Sequence, residues 1–190
     1  MSKHFIKVAA AAALAGASTG ALATDGNFFV NGEVGVSSYR VSGATDTSGS
    51  AYAGRLGYIW HSSGVDFGVE GGYADLGKIS DDSYGVRVEG KVHGSLLGAN
   101  ARFPVDNHWF VSMRGGWFHS SAHAYATNGV QTESVDANGD GTYFGIGGGY
   151  DFNPQVSLSL NLDNYQSKAE GIFDRRFNTG VYGASFEYRF

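Results

Sequence analysis

The chain has 190 residues, with 30 glycines, 2 prolines and no cysteine. Aromatic residues make up 14%, and 18 acidic residues face 13 Lys and Arg. These figures exclude a disordered or collagen-like chain, a disulfide framework, a Cys-ligated metal or iron–sulfur site, and a basic nucleic-acid footprint.

The first element is an address. Lys3 and Lys7 form a positive start, Val8 to Leu22 a small apolar run, and Ala21-Leu22-Ala23 a cleavage signal. The run is short for a spanning helix, which needs ~20 apolar residues. The expectation is a cleaved secretory signal over 1–23, a mature start at Thr24, and one outer-membrane domain over 24–190. No second long apolar run follows Ala23, which excludes a helical inner-membrane protein.

The rest alternates with period two. The first run sets Phe28, Val30, Val34 and Val36 against Asn31, Glu33 and Ser37. The second sets Tyr52, Leu56, Tyr58 and Trp60 against Arg55 and Gly57, and the third Phe67, Val69 and Tyr73 against Asp66 and Glu70. A fourth run, from about Val86 to Phe103, slips in parity near Gly94, which points to a bulge or to a strand leaving the membrane. The fifth sets Trp109, Val111, Met113 and Trp117 against Ser112 and Arg114. The sixth sets Phe144, Ile146, Tyr150 and Phe152 against glycines and Asp151. The seventh sets Leu158, Leu160 and Leu162 against Ser159, Asn161 and Asp163, and the last Tyr182, Phe186, Tyr188 and Phe190 against Ser185, Glu187 and Arg189.

Each run approaches the ~9–11 residues of a tilted membrane strand. One face is apolar and aromatic. The other is crowded with Gly and Ser and holds single charges. A soluble sandwich also alternates, but its outer face is bulky and solvated, whereas small residues suit the inside of a narrow closed barrel. The fold expected is all-β: an eight-stranded antiparallel up-and-down transmembrane β-barrel.

An even strand count puts both termini on the periplasmic side. The connections His61–Gly64, Pro104–His108 and Asn153–Gln155 are then short periplasmic turns. Arg40–Gly49, Gly77–Gly85, His119–Gly141 and Gln166–Thr179 are the longer extracellular loops. Trp60, Trp109, Tyr150, Phe152, Tyr188 and Phe190 form a lower aromatic girdle, and Tyr52, Tyr73, Trp117 and Tyr182 an upper one.

The stretches Gly68-Val69-Glu70-Gly71-Gly72-Tyr73-Ala74-Asp75-Leu76-Gly77 and Leu97-Gly98-Ala99-Asn100-Ala101-Arg102-Phe103-Pro104, with the terminus Phe186-Glu187-Tyr188-Arg189-Phe190, carry a resemblance. The chain resembles the OmpA-like transmembrane-domain family, among the small eight-stranded barrels of Ail/OmpX type, over essentially all of 24–190. The resemblance implies that Phe186, Tyr188 and Phe190 are the signal read by the barrel assembly machinery. No separate peptidoglycan-binding domain follows the last strand, so cell-wall anchoring does not carry over.

Glu33, Arg55, Glu70 and Arg114 fall near one depth on the inward face, with Glu187, Arg102 and Arg189 lower and Asp163 higher. Charges in a narrow lumen have little water and should pair. Glu33, Arg55, Glu70, Arg114 and Glu187 are therefore expected to plug the interior, a reading the resemblance also implies.

Two motifs point elsewhere. His119 and Ser121 with a distant Glu133 are similar to the His-x-Ser and Glu of PagL-type lipid A deacylases, but the pair sits on the fifth strand and Glu133 in a loop. Asp136-Ala137-Asn138-Gly139-Asp140-Gly141 resembles the first half of a calcium loop, but Gly147 stands where the bidentate Glu belongs, so it reads as a turn. The six histidines show no ligand spacing.

The expected function is structural or surface-interacting in the outer membrane: integrity, adhesion or resistance through extracellular loops. No catalytic centre, cofactor or metal is expected. The partners are outer-membrane lipid and lipopolysaccharide, which Asp174-Arg175-Arg176 could meet, the assembly machinery, and a host or surface ligand. The protein is expected to be a monomer. A lipid A-modifying enzyme and a small passive pore are the alternatives.

Overall fold

The computed structural model describes residues 26–40, 47–83, 86–127, 132–168 and 176–190. The expected signal segment and its cut before Thr24 lie outside the described residues, as do Asp174 and Arg175.

Eight strands close into one antiparallel barrel in chain order. They are β1 Gly26–Arg40, β2 Thr47–Ser62, β3 Val65–Ser83, β4 Val86–Pro104, β5 Trp109–Thr127, β6 Thr132–Asp151, β7 Val156–Lys168 and β8 Arg176–Arg189. Closure comes from β1 pairing with β8, from Phe29 opposite Arg189 to Arg40 opposite Asn178. Beyond that ladder the Phe190 N–H donates to the Phe28 carbonyl at 2.9 Å.

The alternation places the side chains. On β1, Phe28, Val30, Val34 and Val36 point out and are exposed, while Phe29, Asn31, Glu33 and Ser37 point in and are buried. The outward rows of the other strands continue this belt; Leu97 and Leu160 are 65% and 71% exposed. From Trp109 to Trp117 on β5 the apolar row rises about 20 Å for strands tilted by about 40°, close to the ~25 Å apolar band of such barrels. Water would penalise so large a continuous apolar surface, and lipid accommodates it.

The turns at one end are tight. Gly64, between β2 and β3, has φ of 88°, a left-handed conformation that disfavours a side chain. Between β4 and β5, the Val105 and Asp106 N–H groups both donate to the Trp109 carbonyl. Between β6 and β7, the Asn153 side-chain oxygen accepts from the Gln155 and Val156 N–H groups. Rings cluster at this end: Tyr58 meets Phe28 and Trp60, Trp60 stacks on Phe67, and Tyr150 meets Trp109 and Phe152.

At the other end the strands outrun the expectation. β3, β4 and β5 have 19 residues each and β6 has 20, against 15, 16, 13 and 14 in β1, β2, β7 and β8. Much of what reads as loop between Gly77 and Gly85 and between His119 and Gly141 is therefore strand. Past the apolar belt neither face needs an apolar row, so the hydrophobic period fades while the hydrogen-bond ladder continues. Among the described residues, β2 pairs with β3 only up to Tyr52 opposite Asp75, and β6 pairs with β7 only up to Gly141 opposite Ser167. Four strands thus stand beyond the rest as a sheet.

The irregularity expected near Gly94 lies on the neighbouring strand. Asp75 pairs with His93 and Lys78 with Lys91, so Leu76 and Gly77 together oppose Val92. Gly77 takes φ of 92° there, and its N–H donates to the Asp75 carboxylate at 3.0 Å. β4 itself keeps its period: Leu96 and Val92 turn inward. They help to build a layer that the alternation did not foretell. Leu76, Leu96, Phe118 and Val181 pack with Ala51, Ala74 and the rings of Tyr143 and Tyr165 in an apolar core inside the barrel.

Candidate functional site

The chemistry of the chain concentrates in the lumen, which is layered along the barrel axis. Next to the apolar core lies a charged cluster drawn from five strands, β1, β2, β3, β5 and β7. Arg55 of β2 is its centre, with a fully buried side chain. Its Nη1 donates to Glu33 Oε2 at 2.7 Å, and its Nη2 donates to Asp163 Oδ2 at 3.0 Å and to the Tyr165 hydroxyl at 2.9 Å. Glu70 Oε1 stands 3.9 Å from Arg55 Nε. Arg114 on β5 approaches Asp163 Oδ1 at 3.2 Å and Glu33 Oε2 at 3.5 Å. Glu70 accepts from the Tyr143 hydroxyl at 2.7 Å and from the Asn100 amide at 3.0 Å. Three carboxylates thus share two guanidinium groups, with two tyrosines completing the shell. For side chains this deeply buried, pairing and hydrogen bonding offset the cost of removing each charge from bulk water.

Glycines make room for this cluster. Arg114 is opposite Gly145, and Gly145 is opposite Asp163. A Cβ on Gly145 would stand 3.1 Å from Arg114 Cγ and 3.0 Å from Asp163 Cγ, in the path between the two charges. The inward glycines that suggested a narrow barrel are thus gaps through which charges on non-adjacent strands meet.

Of the five residues expected to form an interior plug, Glu33, Arg55, Glu70 and Arg114 lie together. Glu187 does not join them. It sits nearer the short-turn end, 3.0 Å from Arg189 Nε and 3.8 Å from Arg102 Nη1. Asp151 completes that second cluster, paired with Arg102 and 3.1 Å from Arg189 Nη2. The Arg102 guanidinium also lies 3.5 Å from the centre of the Phe110 ring. Conversely Asp163, expected at a different depth, is a full member of the central cluster. Its inward parity was visible; its depth was not, because tilted strands shift depth from one to the next. Asp151 lay at the end of a glycine run, and Tyr143 and Tyr165, both on the inward parity of their strands, were not among the expected site residues.

Between the two clusters is a cavity of about 50 Å³, lined by residues that include Asn31, Asn100, Asn161, Ser112 and Ser185, with Glu70 and Arg114 above and Glu187 and Arg102 below. Asn161 donates to the Ser185 hydroxyl at 2.9 Å, and Ser159 and Ser185 are 2.7 Å apart.

The aromatic terminus takes two roles. Phe186, Tyr188 and Phe190 all point outward, with Phe190 70% exposed and its ring 5.1 Å from that of Tyr188. The residues between them in the chain, Glu187 and Arg189, point inward to the second cluster.

The other two motifs fall apart in space. His119 Nδ1 is 2.6 Å from Asp140 Oδ1 on the exposed outer face. Glu133 is in β6, not in a loop. It pairs with Ala126, seven positions along the ladder from the His119–Asp140 pair, or about 23 Å away. No Ser–His–Glu arrangement can form across that distance. Residues 136–141 are also strand, with Asp136 opposite His123 and Asp140 opposite His119, so the segment is neither the expected turn nor a ligand loop folding around an ion. Of the other histidines, His61 pairs with Asp66 at 3.0 Å, His108 stacks on Tyr150, and His93 lies against Tyr73.

Comparison with solved structures gives the same architecture. Ail of Yersinia pestis is similar at TM-score 0.53 and 15% identity, covering 88% of this chain and 100% of that one. Neisserial surface protein A is similar at TM-score 0.54 and 15% identity, covering 86% and 97%. Ail in complex with the heparin analogue sucrose octasulfate gives TM-score 0.53 and 16% identity, covering 86% and 99%. A search of curated proteins returned no match. The family model described as the outer membrane protein beta-barrel domain matches residues 8–190. With its closed eight-stranded form, its apolar outer belt and that match over nearly its whole length, the chain belongs to the outer membrane protein beta-barrel domain family, as an integral outer-membrane barrel.

Proposed function

We propose that the protein is a monomeric barrel that reinforces the outer membrane and presents an interaction surface beyond it, with a filled lumen and no catalytic centre. The carrying observation is the unequal strand length. Among the described residues, the ends of β3 past Gly77 and of β6 before Gly141 pair with no strand on their outer sides. Unpaired N–H and C=O groups along such edges accept an added strand, so the natural partner is an extended polypeptide segment on a host or neighbouring surface.

The short-turn end and both termini then face the periplasm, and the tall sheet faces outward. Residues 1–23 serve as the secretory signal, and Phe186, Tyr188 and Phe190 as the signal for the assembly machinery. The apolar belt meets lipid, and its outer rim meets lipopolysaccharide. Charge pairing of Glu33, Arg55, Glu70, Arg114 and Asp163, with Glu187 in the second cluster, lets the lumen be filled without leaving a bare charge.

The test compares adhesion to immobilised matrix protein for cells with the protein, cells without it, and cells with a shortened sheet, in which residues 80–89 are replaced by Asn-Gly to reclose the hairpin at Ile79 and Gly90. Adhesion should fall to the level of cells without the protein while the barrel stays folded. Equal adhesion in all three would refute the proposal.

A further inference from the structure

The two sides of the central ion cluster do not look alike. The second cluster and the lower side of the central one both border the 50 Å³ cavity. A void holds one water from roughly 10–15 Å³, so this cavity has room for several. It is also polar. Asn31 is 9% exposed, lines the cavity, and has a side-chain oxygen with no hydrogen-bond partner among the described residues. A buried amide oxygen in that position is ordinarily satisfied by water.

The upper side of the central cluster is different. Phe118 and Ala74 are fully buried, and Leu76, Leu96 and Val181 are at most 4% exposed. The Phe118 and Tyr165 rings meet edge to face at 5.1 Å, and Tyr165 stacks on Tyr143 at 6.0 Å. The space bordered by Ala51, Ala74, Leu76, Tyr165 and Val181 admits no water. Tyr143 and Tyr165 belong to both layers, with rings in the apolar core and hydroxyls on Glu70 and Arg55.

We infer that the barrel is a blind, hydrated chamber: water occupies the space between the two ion clusters, and the permeation barrier is the apolar layer of Leu76, Leu96, Phe118, Val181 and the Tyr143 and Tyr165 rings rather than the ion pairs. A dry apolar constriction excludes ions and protons because neither finds hydrogen-bond partners there. Ion pairs beside water can exchange partners with it and hold back small species less well. The inference rests on the filled-lumen reading and locates the barrier within it.

The experiment measures proton leak into vesicles of phosphatidylcholine and phosphatidylglycerol carrying the full refolded barrel and a trapped pH-sensitive dye. Folding of each variant is checked by its heat-modifiable mobility on gels. Wild type and Arg102→Ala should leak no faster than empty vesicles. Leu76→Ala with Phe118→Ala should leak at least tenfold faster. Leak from Arg102→Ala alone, or a tight folded double variant, overturns the placement of the barrier. Leak from wild type instead removes the filled-lumen reading itself. Independently of any variant, magnetisation transfer from water in the wild-type barrel should reach the Asn31 and Asn100 side-chain amides and not the Phe118 ring. A dry Asn31 or a wet Phe118 also overturns the inference.

Discussion

Truncating Arg55 to Ala isolates the largest electrostatic element of the fold. Its side chain is fully buried and is the common partner of Glu33, Asp163 and Tyr165. Without it, three carboxylates share Arg114 alone, whose nearest approach to any of them is the 3.2 Å contact with Asp163. Breaking a buried pair by removing one partner costs about 3–5 kcal/mol, mainly for the charge left behind. With a slope of roughly 2 kcal/mol per molar urea, the unfolding midpoint should fall by about 2 M. Tryptophan emission in lipid vesicles reads the transition. Gln166→Ala, on the exposed outer face, should stay within about 0.5 kcal/mol of wild type. Adding Asp163→Asn to Arg55→Ala removes one of the uncompensated charges and should recover part of the loss, so the pair should be strongly non-additive. An Arg55→Ala barrel no weaker than Gln166→Ala, or a double variant weaker than the two losses summed, would refute this account of the cluster.

Three further outcomes follow from the geometry. Gly145→Ala places a methyl between Arg114 and Asp163 and should destabilise the barrel by about 1–3 kcal/mol, whereas Gly32→Ala, which has open space around it, should be neutral in the same titration. Deleting Phe190 should leave precursor unassembled in the periplasm while changing little in the stability of barrel refolded in vitro; normal insertion in cells would show that the terminal ring is not read. Amino-terminal sequencing of outer-membrane protein should begin at Thr24, and a start at Met1 or Ser2 would remove the signal segment.

The outer face was legible because lipid imposes a simple rule: every second residue between Trp109 and Trp117 must be apolar, small or aromatic. The central charges were legible for a related reason. Glu33, Arg55, Glu70 and Arg114 are isolated charges on otherwise small inward rows, and each must find a partner. Grouping was harder. Period two tells which way Glu187 and Asp163 point, but depth depends on how far each strand is staggered against its neighbours. The apolar layer escaped notice because Leu96 and Phe118 are hydrophobic on the inward parity, which in a single strand reads as a slip. The tall sheet escaped because a ladder in water needs no hydrophobic period.

The seam between β1 and β8 has a kinetic consequence. It pairs Phe29 with Arg189 and Asn31 with Glu187, residues at opposite extremes of the barrel sequence, whereas every other ladder joins strands adjacent in the chain. Seven hairpin ladders can form locally, but the eighth must close a loop of nearly the whole domain, and such long-range closure is slow. Until it happens, two apolar strands carry bare edges, and Arg102 of β4 is not yet held across the lumen from Glu187 of β8. The unclosed sheet is therefore the species most exposed to aggregation, and the time it spends in that form sets how much help the chain needs on its way into the membrane.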